Sequence, residues 1–273
     1  MSVELSHLVS AFEKLWPIEG AESWDNPGLV SGYENQRISR VLLSVDVTRE
    51  IISEAQDGEF DLVLAHHPYL LRGVQTISES NPKGALLATA IRSNISIYAA
   101  HTNADIVEAG VSQALAQAFG LENIEPLVPT ANHNEGHGRV GSLPTQTKLG
   151  DFARYLAKVL PSTASGVRVS GDYEQMVQRV ALCGGAGDSL VANAFEAQAD
   201  VYVTSDLRHH PTQDAKERSG VSRNPLALID VSHWASEWIW LEVAAAQLAK
   251  IFPNVQFVVS QIRTDPWDFT VTQ

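Results

Sequence analysis

An apolar run that ends on two adjacent histidines and a proline, Leu62-Val63-Leu64-Ala65-His66-His67-Pro68, constrains this chain more than any other stretch. Val63, Leu64 and Ala65 have the length and character of a short buried strand, and Pro68 lacks the N–H needed to continue a ladder. The two imidazoles therefore fall at a strand's carboxyl end, where open α/β sheets hold their ligands. Successive side chains of a regular strand face opposite ways, so both rings reach one cavity only where the strand has broken. Pro68 supplies that break.

The neighbouring sequence repeats the arrangement. A first helix is expected over residues 3 to 15, with Pro17 as its stop. Trp24-Asp25-Asn26-Pro27-Gly28 has turn chemistry beside a large apolar anchor. Strands are predicted at Val41 to Val45, Leu62 to Ala65 and Ile95 to Ala100, with helices from Arg49 to Gln56 and Lys83 to Arg92 between them. Such β-α-β-α-β alternation implies a largely parallel sheet covered by helices. Its third strand again ends at a histidine, His101-Thr102-Asn103-Ala104-Asp105.

After a helix over Val111 to Phe119 and a short strand at Ile124 to Val128, the polar Asn132-His133-Asn134-Glu135-Gly136-His137-Gly138 stretch marks the join. Two lobes, 1–130 and 131–273, are expected. The second half runs through a helix from Leu149 to Leu160 and strands at Val167 to Val169 and Val177 to Cys183. A helix from Ser189 to Gln198, a strand Val201 to Thr204, a helix through Ala215 and a strand Leu226 to Val231 follow. The last strand ends at Ser232-His233-Trp234-Ala235-Ser236-Glu237, which opens a long apolar helix. The duplication is coarse, with no residue-level repeat visible.

Composition narrows the partners. The formal charge is −13, against the clustered Lys and Arg that phosphate backbones require, so nucleic acid is an unlikely partner. The single cysteine, Cys183, permits no internal disulfide, and no apolar run reaches the roughly 18 residues of a membrane span. A soluble cytoplasmic protein is expected.

His233 and Glu237 stand four apart on one helix face, and His101 and Asp105 share that spacing if Asp105 lies in the first turn after the loop. With His66 and His67 they make four imidazoles and two carboxylates at strand ends or helix starts. A nitrogen-rich set suits zinc, iron or manganese rather than calcium, and six donors exceed one tetrahedral ion but would serve two. His7, His133 and His137 carry no such context. His209-His210 follows the strand that ends at Thr204-Ser205-Asp206, close enough in sequence for a supporting or substrate-facing role. The Gly184-Gly185-Ala186-Gly187 turn is read as close backbone packing rather than an anion cradle, since Asp188 would repel an anion. No Gly-x-Ser-x-Gly elbow is present, and Cys183 ends a buried strand.

These motifs, in order, resemble the GTP cyclohydrolase 1 type 2 homologues, also called Nif-three-like proteins. They are Trp24-Asp25-Asn26-x-Gly28-Leu29, Ala65-His66-His67-Pro68, His101-Thr102-Asn103-x-Asp105, Gly138-Arg139-Val140-Gly141, Cys183-Gly184-Gly185-x-Gly187, Thr204-x-Asp206 with His210, and His233-x-x-x-Glu237. The resemblance implies two α/β lobes with mostly parallel sheets flanked by helices, a dinuclear metal site between them and a homohexamer. Carried over residue by residue, it implies His66, His67, Asp105, His233 and Glu237 as metal ligands, with His101 a further ligand or acid/base group. Ser205 departs from a glycine usual in the family and Ala186 from a frequent serine. The segment from 142 to 176 is too short for the domain inserted in longer members.

The expected activity is hydrolysis of a nucleotide-like substrate by two divalent transition-metal ions per chain. Two reactions suit that site: ring opening of a purine or phosphoester cleavage, with His101 or His210 shuttling the proton. The rival expectation is a metal-binding assembly or regulatory protein that binds partners without turnover.

Overall fold

The computed structural model describes residues 2–222 and 224–272. Along the chain run β1 (Val3–Glu4), α1 (Leu5–Leu15), β2 (Gly28–Ser31), β3 (Arg37–Ile38), β4 (Arg40–Ser44), α2 (Arg49–Asp57), β5 (Leu62–Ala65), α3 (Pro82–Arg92), β6 (Ser96–Ala99), α4 (Thr102–Ile106), α5 (Val111–Ala118), β7 (Glu122–Pro129), β8 (Gly136–Lys148), α6 (Leu149–Val159), β9 (Arg168–Ser170), β10 (Met176–Ala186), α7 (Val191–Glu196), β11 (Val201–Ser205), α8 (His209–Val221), β12 (Ala227–Val231), α9 (His233–Ile251) and β13 (Gln256–Val259). They form two compact units: Met1–Ala104 with Leu241–Thr264, and Asp105–Trp240 with Asp265–Gln273. A division into contiguous lobes, 1–130 and 131–273, remains a proposal.

The first unit is built on a five-stranded sheet of order β13-β4-β5-β6-β2, parallel except where β2 runs against β6. Every residue of β5 and β6 is buried, as expected for strands covered on both faces. Thr48 opens α2 by accepting the Ile51 N–H at 3.4 Å, and Asn81 followed by Pro82 opens α3. Ile51, Ile52 and Ala55 of α2 pack with Leu87 and Ala90 of α3 over Leu42, Val63 and Ile97. Each such large aliphatic side chain contributes roughly 1.5–3 kcal/mol by burial. On the opposite face α1 buries Leu5, Leu8 and Phe12, with the Phe12 ring 4.9 Å from that of Tyr98.

The second unit carries a six-stranded sheet of order β7-β8-β10-β11-β12-β9. Strands β10, β11 and β12 are parallel, while β7, β8 and β9 pair antiparallel at the flanks. The thirteen-residue β8 crosses a polar, glycine-rich stretch whose periodicity gives no strand signal. Its glycines explain why: a Cβ on Gly138 would lie 2.7 Å from the Leu182 carbonyl oxygen, and one on Gly141 2.9 Å from that of Glu122. Neighbouring backbones, not side chains, set that strand. Residues 142 to 176 hold only the end of β8, α6, β9 and the start of β10, with no inserted domain.

The coarse duplication is precise in its hydrogen bonds. In the first unit Asp61 Oδ2 accepts the Ser39 and Arg40 amides at 2.7 and 3.0 Å, while Gln36 Nε2 donates to the carbonyls of Asp61 at 3.3 Å and Asn94 at 2.7 Å. In the second, Asp200 Oδ2 accepts the Gln178 and Arg179 amides at 2.8 Å each, and Gln175 Nε2 donates to the carbonyls of Asp200 and Pro225 at 3.4 Å. Gln36 and Gln175, Arg40 and Arg179, Asp61 and Asp200 are each 139 residues apart. The strand register agrees, with Val41 opposite Leu62 and Val180 opposite Val201.

Candidate metal centre

In the first unit, the ends of β5 and β6 deliver three histidines. His66, His67 and His101 each offer a ring nitrogen, and these nitrogens all lie within 4.8 Å of one another, close enough to hold a metal ion. His66 is fully buried, and its Nδ1–H donates to the Ala100 carbonyl at 2.8 Å. His67 Nδ1–H donates to Asp46 Oδ1 at 2.8 Å, and His101 Nδ1–H to Asp25 Oδ1 at 2.7 Å. Carbonyl and carboxylate oxygens only accept, so each bond fixes the tautomer in which Nε2 carries the lone pair. An imidazole so anchored is oriented as a metal ligand.

The anchors are themselves held. Thr264 Oγ1–H donates to Asp46 Oδ2, and Asp25 Oδ2 accepts both the hydroxyl and the amide of Thr102. Burial works to raise the Asp25 carboxyl, but the hydrogen bonds from His101 and Thr102 outweigh it and hold the group well below the usual carboxylate range. Asn103, fully buried, accepts the His101 amide at 2.9 Å and donates to the Trp16 carbonyl at 2.8 Å, which fixes the loop after β6. Trp24 sets its indole edge-on to His101 at 5.8 Å and is 59% exposed.

In the second unit, His233 opens α9 after β12, and Glu237 follows one turn later with only 3% of its surface exposed. His233 Nδ1 lies 2.8 Å from Asp206 Oδ2 and Nε2 lies 2.9 Å from Glu237 Oε1. The Glu237 charge, then the Asp206 contact, outweigh burial and push the imidazole up to about 11. Two carboxylates thus already favour a positive charge at this point. Asp206 reaches His233 from a left-handed backbone, φ 55°, which Asp tolerates better than most residues. Asp105, in α4, and Glu237 both lie close enough to Cys183 to raise its thiol.

The glycine turn is shaped around these donors. Gly185 has φ +67°, and a Cβ there would come 2.4 Å from Glu237 Oε1 and 3.2 Å from His233 Nε2. Its amide donates to Ser236 Oγ at 2.9 Å, and its carbonyl accepts from Thr204 Oγ1 at 3.0 Å. Ser205 is buried with its hydroxyl 3.3 Å from that of Ser236. The turn is therefore a packing device that leaves room at two oxygen and nitrogen donors, and a cation-sized ligand fits the chemistry of that donor set.

Arg139 of the Gly-Arg-Val-Gly segment is 1% exposed and donates to the carbonyls of Gly136, Gly138 and Val107 and to Gln113 Oε1. Its bond to Val107, two residues after Asp105, ties the α4 region to β8. Burial pushes the Cys183 thiol up to about 12, which removes it as a nucleophile.

The structure thus gathers His66, His67 and His101 in one unit, and His233 with Glu237 beside Asp206 in the other. His210 stands outside both sets, exposed at the second residue of α8 with its ring edge-on to His209 at 5.2 Å. The sequence places Asp25 in a turn; the structure shows both Asp25 and Asp46 as the anchor of an imidazole. The Trp24-Asp25-Asn26 motif was the available signal for Asp25. Nothing local marked Asp46.

The model of the family described as Duf34/NIF3 (NGG1p interacting factor 3) matches residues 3–266. A Streptomyces coelicolor protein named GTP cyclohydrolase 1 type 2 homolog is 44% identical over 270 residues, covering 96% of this chain and 93% of that one. A Mycobacterium leprae protein of the same name is 33% identical, covering 98% and 96%, over 376 aligned positions, so it carries sequence that this chain lacks. Among solved structures, a Bacillus cereus protein related to NIF3 superposes with a TM-score of 0.89 at 25% identity, covering 98% of this chain and 99% of that one. A Staphylococcus aureus hypothetical protein does so at 28% identity with the same TM-score and coverage.

Proposed function

This chain belongs to the Duf34/NIF3 family, and on that premise we propose that it is a dinuclear metal-dependent hydrolase acting on a nucleotide-like substrate. The carrying observation is that four histidines at strand ends, His66, His67, His101 and His233, each have Nδ1 set against an oxygen acceptor. Histidines that serve packing alone have no need of so uniform an anchoring. His66, His67, Asp105, His233 and Glu237 would hold two divalent ions, zinc, iron or manganese, with His101 as a sixth donor or a proton carrier. Such ions supply Lewis acidity and an activated water at neutral pH.

The chain's own groups would do the rest. His101, with Nδ1–H on Asp25, would move a proton at Nε2, and the exposed Trp24 indole beside it would give a purine a face to stack on. His210 is retained as a second proton carrier. The name of the relatives motivates GTP as one substrate to test, with phosphoesters as the other class. A homohexamer in the cytoplasm is part of the proposal. The exposed Trp267, Phe269 and Val271 near the carboxyl terminus favour self-association. Among the described residues no helix is long and apolar enough to cross a membrane.

The test is turnover by protein reconstituted with each of the three metals, with formate release from GTP and phosphate release from phosphomonoesters as readouts. The proposal predicts turnover that is abolished by chelation and lowered at least a hundredfold by His101→Asn. Two bound ions with no turnover of either class would overturn it and leave the partner-binding alternative.

A further inference from the structure

Helices α3 and α8 occupy the same place in the two sheets, each joining the second and third strands of a parallel series. α3 lays Leu87 and Ala90 on its sheet, with Leu86 against the same core. α8, thirteen residues long, buries only Ala215. A helix covering a sheet ordinarily presents an apolar stripe. Here His209, Thr212, Gln213 and Lys216, spaced i, i+3, i+4 and i+7 and so on one face, line a cleft of about 370 Å³. That volume is at the lower end of small-molecule sites.

The opposite wall is the β12–β9 edge, where Arg168 stands across from Asp230 and Ser170 across from Leu228. Asp230, 7% exposed, accepts from Arg168 Nη2. This bond uses one guanidinium donor, and the Arg168 side chain, largely exposed, lines the cleft. Lys216 makes no ion pair among the described residues. In a chain of net charge −13, the cleft pairs one neutralised guanidinium with one uncompensated ammonium and several neutral donors. None of these residues belongs to either donor set of the metal centre.

We propose that this cleft binds a phosphorylated small molecule of mononucleotide size. Arg168 and Lys216 hold the phosphate, and the His209, Thr212 and Gln213 face of α8 meets the organic part over Leu228. A phosphate takes a guanidinium fork and an ammonium point charge together, and the apolar floor suits a ring. The assignment does not depend on catalysis at the metal centre.

The test is calorimetric titration of chelator-treated protein with AMP, adenosine and inorganic phosphate at low ionic strength. Chelation removes phosphate binding through metal, so failure of this proposal is distinguishable from failure of the hydrolase reading. AMP is expected to bind at least tenfold more tightly than either adenosine or phosphate. Lys216→Ala and Arg168→Ala should each weaken AMP at least tenfold, with Lys250→Ala, on exposed surface elsewhere, unchanged. All three positions are solvent-facing, and circular dichroism checks that the variants fold. Equal affinity for AMP and adenosine, equal affinity for AMP and phosphate, no AMP binding at millimolar concentration, or an unaffected Lys216→Ala would each overturn the proposal.

Discussion

The two sheets share a scaffold and differ in what they place at its edge. Gln36, Arg40 and Asp61 recur as Gln175, Arg179 and Asp200 at a constant separation of 139 residues, and they make the same backbone-capping bonds. At that same separation the chemistry diverges: His66 gives way to Ser205, His67 to Asp206, and Asp46 to Gly185. In the first unit Asp46 anchors His67; in the second Asp206 stands in the histidine's place and instead contacts His233, while Gly185 makes room for Glu237. Strand entry is conserved between the sheets because buried amides need acceptors wherever a strand begins. Strand exit is free to vary, and that is where the candidate ligand donors differ.

The contrast can be broken most sharply at Gly185. Gly185→Ala puts a methyl group 2.4 Å from Glu237 Oε1 in a left-handed backbone, and metal content should fall by at least one ion per chain while the first unit's donors are untouched. Full metal content in this variant would show that the turn does not shape the site.

The anchors come next in size. Asp25→Asn, Asp46→Asn and Asp206→Asn should each weaken metal binding by about 10- to 100-fold, since each leaves a candidate ligand ring without its carboxylate partner. Competition with a chromophoric chelator measures this. Loss in the Asp46 and Asp25 variants alone would confine the centre to the first unit.

The shared scaffold predicts matched, smaller effects. Asp61→Ala and Asp200→Ala each remove the acceptor of two backbone amides and should cost about 1–3 kcal/mol apiece in denaturant unfolding, provided unfolding is two-state. Strongly unequal losses would mean the duplication is geometric only.

The smallest effect concerns Cys183. With its thiol pushed up to about 12, the thiolate fraction at pH 8 is on the order of one in ten thousand, so iodoacetamide should leave the native protein unmodified for hours and label it at once in denaturant. Rapid native labelling would place Cys183 in an open environment.

The first unit was the more legible in sequence. Its strands are short apolar runs closed by His or Asp, and β4, β5 and β6 fall where periodicity puts them. β2 was hidden under turn chemistry, because Gly28 takes φ +111° at the start of a strand that then runs antiparallel to β6. In the second unit β8 escaped because its path is set by glycines that admit neighbouring carbonyls, a signal invisible to hydrophobic patterning. The histidines stood out as chemistry at strand ends. Their carboxylate anchors did not, since Asp46 and Asp25 lie 21 and 76 residues from the rings they hold, and only folding brings them together.

The central claim is that donors on both sheets hold two transition-metal ions per chain. Elemental mass spectrometry on protein purified without chelator, beside Glu237→Ala, measures it directly. The account predicts close to two ions per chain in the parent protein and a loss of at least one in the variant. Absence of metal after reconstitution with zinc, iron and manganese would contradict it.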